Sequence, residues 1–286
     1  MRAPGASILK QVIITADDFG FAPEINDAVE VAHQDGILTA ASLIVAGPAA
    51  KDAIARARRL PRLHIGLHLV LVDGQPVLPP RRLPDLVDET GRFRNDMARL
   101  GVNIFARASV RRQIAAEIEA QFEAYRATGL ALDHVNAHKH FHLHPTVAST
   151  IFAIGARYGM RALRVPLEPR HILIGIEPLT RQRSAYITAM WAAALGRRAR
   201  LAGLRVADSV FGLAWSGAMT ELRLCSLLRS LSEGCTEIYL HPATSANFTG
   251  YTPGYRYTDE LAALKAPAVV AITRRQGLGL GGYSDF

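Results

Sequence analysis

Asp17 and Asp18 stand side by side at the end of an apolar run, in Ile13-Ile14-Thr15-Ala16-Asp17-Asp18-Phe19-Gly20. Two adjacent carboxylates repel when both are ionised, so they call for a cation or a shared proton. A metal ion is the simplest compensation; a helix cap accounts for one aspartate of the pair and leaves the other unexplained. Further on, four of the chain's 10 histidines fall at alternate positions: His138, His140, His142 and His144. Alternate residues of an extended chain share a face, so His138, His140 and His142 together would offer metal ligands and a substrate contact. Which of the three is the ligand stays open on spacing alone.

His68, near the end of His64-Ile65-Gly66-Leu67-His68-Leu69, is a further ligand candidate, with Gly66 leaving room for close approach. His64 shares its face but lies ~13 Å toward the strand start, which suits a structural histidine. His241, directly before Pro242, suits a general acid or, alternatively, a turn histidine. Arg164 ends another apolar run, from which its charge can hold a neighbouring carboxylate ionised.

To bring these residues together the chain must alternate strands and helices. Apolar runs at 11–15, 40–45, 64–69, 132–137, 162–165, 237–240 and 268–272 read as strands. Segments 23–34, 48–59, 110–128, 146–158, 221–231 and 258–264 read as helices. In the third of these, Ile114, Ile118, Phe122 and Tyr125 form an apolar stripe, with Glu117, Glu119 and Glu123 on the other face. Such alternation builds an α/β fold around about seven parallel strands, near the number that closes a barrel, with an open sheet as the alternative. All C-terminal strand ends then open on one face, where Asp17, Asp18, His68, His138, Arg164 and His241 converge.

Two segments interrupt the alternation. Residues 73–103, rich in Pro, Gly and Arg, read as a loop or lid. Residues 168–215 read as a helical insertion holding an uncharged stretch, 184–196, too short to span a bilayer. Two readings compete for that stretch: a buried helix, or an amphipathic element touching a membrane or lipid tail, with Trp191, Arg197, Arg198 and Arg200 at the interface. The glycine-rich 277–282 has no helix after it, so it reads as a flexible tail rather than a phosphate loop.

The 286 residues, 49% hydrophobic and 20% charged, suit one globular domain. Cys225 and Cys235 form neither a disulfide framework nor a ligand pair, and the first ten residues lack an apolar export segment, so a cytoplasmic protein is expected. The net charge of +8 comes from scattered arginines with no nucleic-acid motif around them, which argues against nucleic acid as partner.

The motifs TADDFG (15–20), HIGLHLVL (64–71), HVNAHKHFHLHP (134–145) and LHP (240–242) resemble those of the YdjC-like carbohydrate deacetylases. AHKHFHLHPTVA together with GLHLVLVDGQPVLPP is similar to the hopanoid biosynthesis-associated deacetylases of the HpnK type. The resemblance covers most of the chain. It implies a distorted (β/α) barrel that removes an N-acetyl group from a sugar, here an N-acetylglucosaminyl hopanoid lipid or related acetylated saccharide. It further implies one divalent ion, Mg2+ or Zn2+, held by Asp18, His68 and His138, with Asp17 as base and His241 as proton donor to the amine. This chain has Asn136-Ala137-His138 where many members have Asp-Ser-His, and His241-Pro242-Ala243 where many have His-Pro-Gly.

Amide hydrolysis needs an activated water, a stabilised oxyanion and a proton donor, and these residues supply all three. In that scheme Arg164 keeps Asp17 ionised, and His140 and His142 contact substrate. Two rivals share the same residues: a metal-dependent phosphodiesterase-type hydrolase, and a non-enzymatic sugar- or lipid-binding barrel. Binding alone would not need a base and an acid beside a metal. Peripheral membrane contact, at the inner membrane surface, would follow from a lipid-linked substrate.

Overall fold

The computed structural model describes residues 10–179 and 183–286, with backbone alone for 183–187. The start of the chain, read above as lacking an export signal, lies outside the described residues up to position 9. The strands are β1 (Lys10–Phe19), β2 (Ala40–Leu43), β3 (His64–Leu69), β4 (Val135–Ala137), β5 (Ser209–Phe211), β6 (Gly234–Leu240) and β7 (Gly279–Leu280). The helices are α1 (Pro23–Asp35), α2 (Ala50–Arg59), α3 (Met97–Ala106), α4 (Ala108–Ala127), α5 (Pro145–Arg157), α6 (Arg170–Ile176), α7 (Arg183–Leu201), α8 (Glu221–Ser230), α9 (Tyr257–Lys265) and α10 (Pro267–Arg275).

Every strand pair is parallel, in the order β4-β3-β2-β1-β6-β5, with β7 beside the start of β1. Leu163 bridges Val135 and Ala162 bridges Arg205, linking the open side of the sheet toward β5. The result is an α/β fold, a distorted barrel. Strand alternation sorts its residues into two sets. Val12, Ile14 and Ala16, Ile65, Leu67 and Leu69, and Ile238 and Leu240 join the large apolar core shared with the helices. The alternate set, Thr15 and Asp17, Ser42, His68, Asn136, Glu237 and Tyr239, fills the barrel interior. The site is therefore a property of the strand period.

Several expectations need correction. Residues 268–272 are helix α10, not a strand: Pro267 opens it, and buried Val269, Ile272 and Thr273 recur at helical spacing. Residues 162–165 make only isolated bridges. The strand β5 lies inside what was read as a helical insertion, and the 277–282 tail, far from being loose, contributes β7 and leads to buried Tyr283. Glu117, placed on the polar face of its helix, is fully buried and accepts from Val77 and Leu78 N–H at 2.8 and 3.0 Å, anchoring the 73–103 segment on α4. Burial raises its carboxyl pKa despite those bonds.

Candidate active site

The end of β1 departs from regular pairing: register with β2 shifts between Ala16 and Phe19, and Asp18 adopts φ 62°. On a regular strand two adjacent side chains point to opposite faces; the irregularity lets both aspartates serve one site. Gly20, φ 93°, ends the turn in a conformation that strains any side chain, and a Cβ there would crowd Ile44 and Ala50.

Asp18 Oδ1, His68 Nε2 and His138 Nδ1 form a near-equilateral triangle with edges of 3.3, 3.3 and 3.4 Å. These three residues come from the ends of β1, β3 and β4. Asp18 Oδ1 is buried and makes no hydrogen bond. A spacing of about 3.3–3.4 Å is what ligands of a tetrahedral ion with bonds near 2.0–2.1 Å adopt. The charge also fits. Buried Arg164 pairs with Asp17 at 2.5 Å and Glu237 at 2.8 Å, so one guanidinium faces three carboxylates once Asp18 is included. A divalent cation cancels that excess of two negative charges.

Burial works to raise the Asp17 pKa, yet Arg164, and then His68, hold the carboxyl well below the usual range. Burial likewise opposes ionisation of Asp18, and the His138 and His68 rings outweigh it. Burial pushes His68 down to about 4 against the pull of both aspartates, leaving a neutral ring with a lone pair to offer. His138 goes the other way: burial lowers its pKa, but the adjoining Asp18 raises it further.

The histidine row does not run extended. Residues His138–Leu143 form a short 3-10 segment, with Lys139 and His140 in the left-handed region at φ 51° and 52°. The three rings therefore diverge. His138 faces Asp18; His140 Nε2 meets the Tyr239 hydroxyl at 2.9 Å; His142, wholly buried, donates from Nε2 to the Arg164 carbonyl at 2.9 Å. Lys139 pairs with Asp73, another left-handed residue, and so ties this turn to the loop after β3. His241 is held by its backbone N–H, which donates to buried Glu260 at 2.5 Å, and by the Tyr239 and Tyr255 rings. His64 lies apart from the site, paired to Asp133 and Asp285.

Glu237 was missed by sequence reading. Its two oxygens take Arg164 Nε and NH2 at 3.0 and 2.8 Å, Thr15 Oγ at 2.7 Å and Tyr283 Oη at 2.6 Å. The signal was a carboxylate in an apolar strand at period-two spacing from His241. Ser42, also missed, is buried against Asn136, which the sequence singled out only as a departure from the family's Asp-Ser-His pattern.

The chain matches the family model described as YdjC-like protein over residues 11–275. It is 30% identical over 280 residues to a carbohydrate deacetylase of Geobacillus stearothermophilus, covering 96% of this chain and 97% of that one. With the human carbohydrate deacetylase it shares 30% identity over 298 residues, covering 96% and 90%. A crystal structure from Enterococcus faecalis V583, of a protein named for cellobiose-phosphate cleavage, superposes with TM-score 0.75 at 25% identity, covering 97% and 98%. With nearly its whole length matched, this chain belongs to the YdjC-like family.

Proposed function

We propose that the protein is a metal-dependent deacetylase that hydrolyses the N-acetyl group of an amino sugar, in an N-acetylglucosaminyl hopanoid lipid or a related acetylated saccharide. The observation that carries this reading is the Asp18–His68–His138 triangle with a second, clamped carboxylate, Asp17, directly beside it. The deacetylase relatives support the reaction class. One divalent ion, Mg2+ or Zn2+, fits the three donors, and two imidazoles to one carboxylate favour the softer Zn2+. When bound, the ion polarises the acetyl carbonyl and acidifies water.

The protein's own groups do the rest. Asp17, kept ionised by Arg164, takes the proton of the attacking water. His241 delivers a proton to the departing nitrogen, without which an amine cannot leave. His140 bonds Tyr239 and His142 supports the Arg164 backbone, which gives both histidines a role in holding the site's walls.

Two hollows flank the 138–140 turn, His138 lining one and Lys139 and His140 the other. One, about 220 Å³, is lined by Asp18 and His138 with Asp73, Gln75 and Arg92 from the loop after β3, and suits sugar hydroxyls. The other, about 580 Å³, is lined by Val102, Phe105, Phe141, Trp191, Lys139 and His140. It is overwhelmingly apolar and suits the lipid portion of a glycolipid. The location we propose is the cytoplasmic face of the membrane, in contact through α7.

The test is a substrate panel: N-acetylglucosaminyl lipid, free N-acetylglucosamine and a sugar phosphodiester, incubated with protein and metal and read by mass spectrometry. Loss of one acetyl group from the lipid-linked sugar is expected. Phosphate-ester cleavage without acetate release would move the site to the rival hydrolase reading.

A further inference from the structure

Beneath the site, the barrel interior carries a hydrogen-bonded thread that the chemistry above leaves unused. Asn136 is wholly buried. Its Oδ1 lies 2.8 Å from His68 Nδ1, and its Nδ2 lies 3.2 Å from Asp17 Oδ1 and 2.8 Å from Ser42 Oγ. Ser42 Oγ in turn lies 3.0 Å from His134 Nε2, and His134 Nδ1 lies 2.9 Å from Asp133 Oδ2. Asp133 also accepts from Tyr283 N, Ser284 N and Ser284 Oγ in the C-terminal segment.

Donor and acceptor capacities select one arrangement along this thread. An ionised Asp133 only accepts, so His134 carries a proton on Nδ1. The ionised Asp17 likewise only accepts, so the Asn136 amide nitrogen donates to it and to the Ser42 hydroxyl, whose other contact is His134 Nε2. Asn136 Nδ2 therefore faces Ser42 and Asp17, and Oδ1 faces His68. His68 must then carry its proton on Nδ1, with a bare Nε2 aimed at Asp18 and His138. Reversing the amide would set its oxygen against the Asp17 carboxylate.

We infer that Ser42, His134 and, through Asp133, the C-terminal Tyr283 and Ser284 are positioning residues, which fix Asn136 and through it hold His68 in the Nδ1–H tautomer that ligation through Nε2 requires. The inference rests on the reading of Asp18, His68 and His138 as a metal site. It also gives the asparagine a reason. An aspartate at 136 would bring another carboxylate within 3.2 Å of Asp17, whereas the amide donates there and orients ligand and base with one side chain.

Nitrogen-15 NMR of histidine-labelled, metal-free wild-type protein at neutral pH reads the tautomer without any variant. The Nδ1–H form of His68 is expected, and the Nε2–H form would overturn the inference. Zinc affinity, measured by chelator competition, gives the second reading. Ser42→Ala is expected to weaken it by roughly 10- to 100-fold. In an Asn136→Ala background the same change should add no more than about twofold, because the two act in series. Equal losses in both backgrounds, or an unchanged affinity in Ser42→Ala, would overturn it. A wild-type protein that binds no zinc or other divalent ion sinks the underlying metal reading instead, and is recognised before any variant is made.

Discussion

Among the described residues, four besides glycine occupy the left-handed region: Asp18, Asp73, Lys139 and His140. Asp18 is a vertex of the ligand triangle, Lys139 and His140 directly follow another, His138, and Asp73 pairs with Lys139; each costs of order 1–3 kcal/mol to hold. The strain is retained where it aims Asp18 and His138 at a common point. Replacing Asp17 with Asn should keep the metal and lower turnover by roughly 10²-fold or more, since only the proton acceptor is removed. Steady-state acetate release alongside metal content checks this. Glu237→Ala should cost stability, by about 3–5 kcal/mol, because Arg164 is left buried with half its partners gone. Equilibrium denaturation measures it. Asp17, Asp18, His68 and His241 were visible in the sequence as polar residues at the ends of apolar runs. Spacing alone did not choose His138 over His140 and His142, which only the family resemblance did, because nothing in Lys139 or His140, neither of them glycine, announces a left-handed turn.

At the scale of elements, strand alternation was legible and strand length was not. β5 and β7 are too short to carry a period, and α10 packs β-branched residues at helical spacing in a run brief enough to pass for a strand. The C-terminal segment gains its order from side chains far away in sequence. His64 Nε2 lies 2.9 Å from Asp285, and its Nδ1 lies 3.4 Å from Asp133. The hydrogen bond to Asp133 raises the His64 pKa, against burial and with help from Asp285. The stabilisation from a raised pKa is fully present below the ordinary histidine value and is lost as pH rises through the raised one. The segment should therefore be held more firmly near pH 6 than near pH 9, with a smaller pH difference in His64→Ala; hydrogen exchange at 281–286 reads both. Between α3 and α7, Trp191→Ala should lower the preference for lipid-linked over free N-acetyl sugar by roughly tenfold, the loss of buried aromatic area in the groove.

Seen whole, the molecule exposes apolar residues on α7 as well as an apolar groove. Neither of the competing readings of 184–196 describes α7 completely. Ala192, Leu195 and Ala199 are buried, whereas Met190 and Leu201 are 72% and 78% exposed. No acidic residue occurs from 183 to 201, and Arg197 and Arg200 are exposed. No described helix is long and apolar enough to cross a membrane. An apolar, basic surface beside the groove mouth suits an anionic bilayer. The protein should co-sediment with vesicles containing anionic lipid, and both high salt and Met190→Asp should weaken the association several-fold. Retention by neutral vesicles alone, or none by either, would remove that contact. The amphipathic pattern was in the sequence, but which side of the helix the fold would cover was decided by tertiary packing.

The proposed chemistry depends most on a single cation shared by three strand ends. Metal content per chain, measured by plasma mass spectrometry after dialysis against trace divalent ion, tests it directly. One Zn2+ or Mg2+ per wild-type chain is expected, falling to near none in Asp18→Asn, His68→Ala and His138→Ala while Asp17→Asn keeps its metal. Full occupancy in the three ligand variants, or acetate release by wild-type protein free of metal, would contradict it.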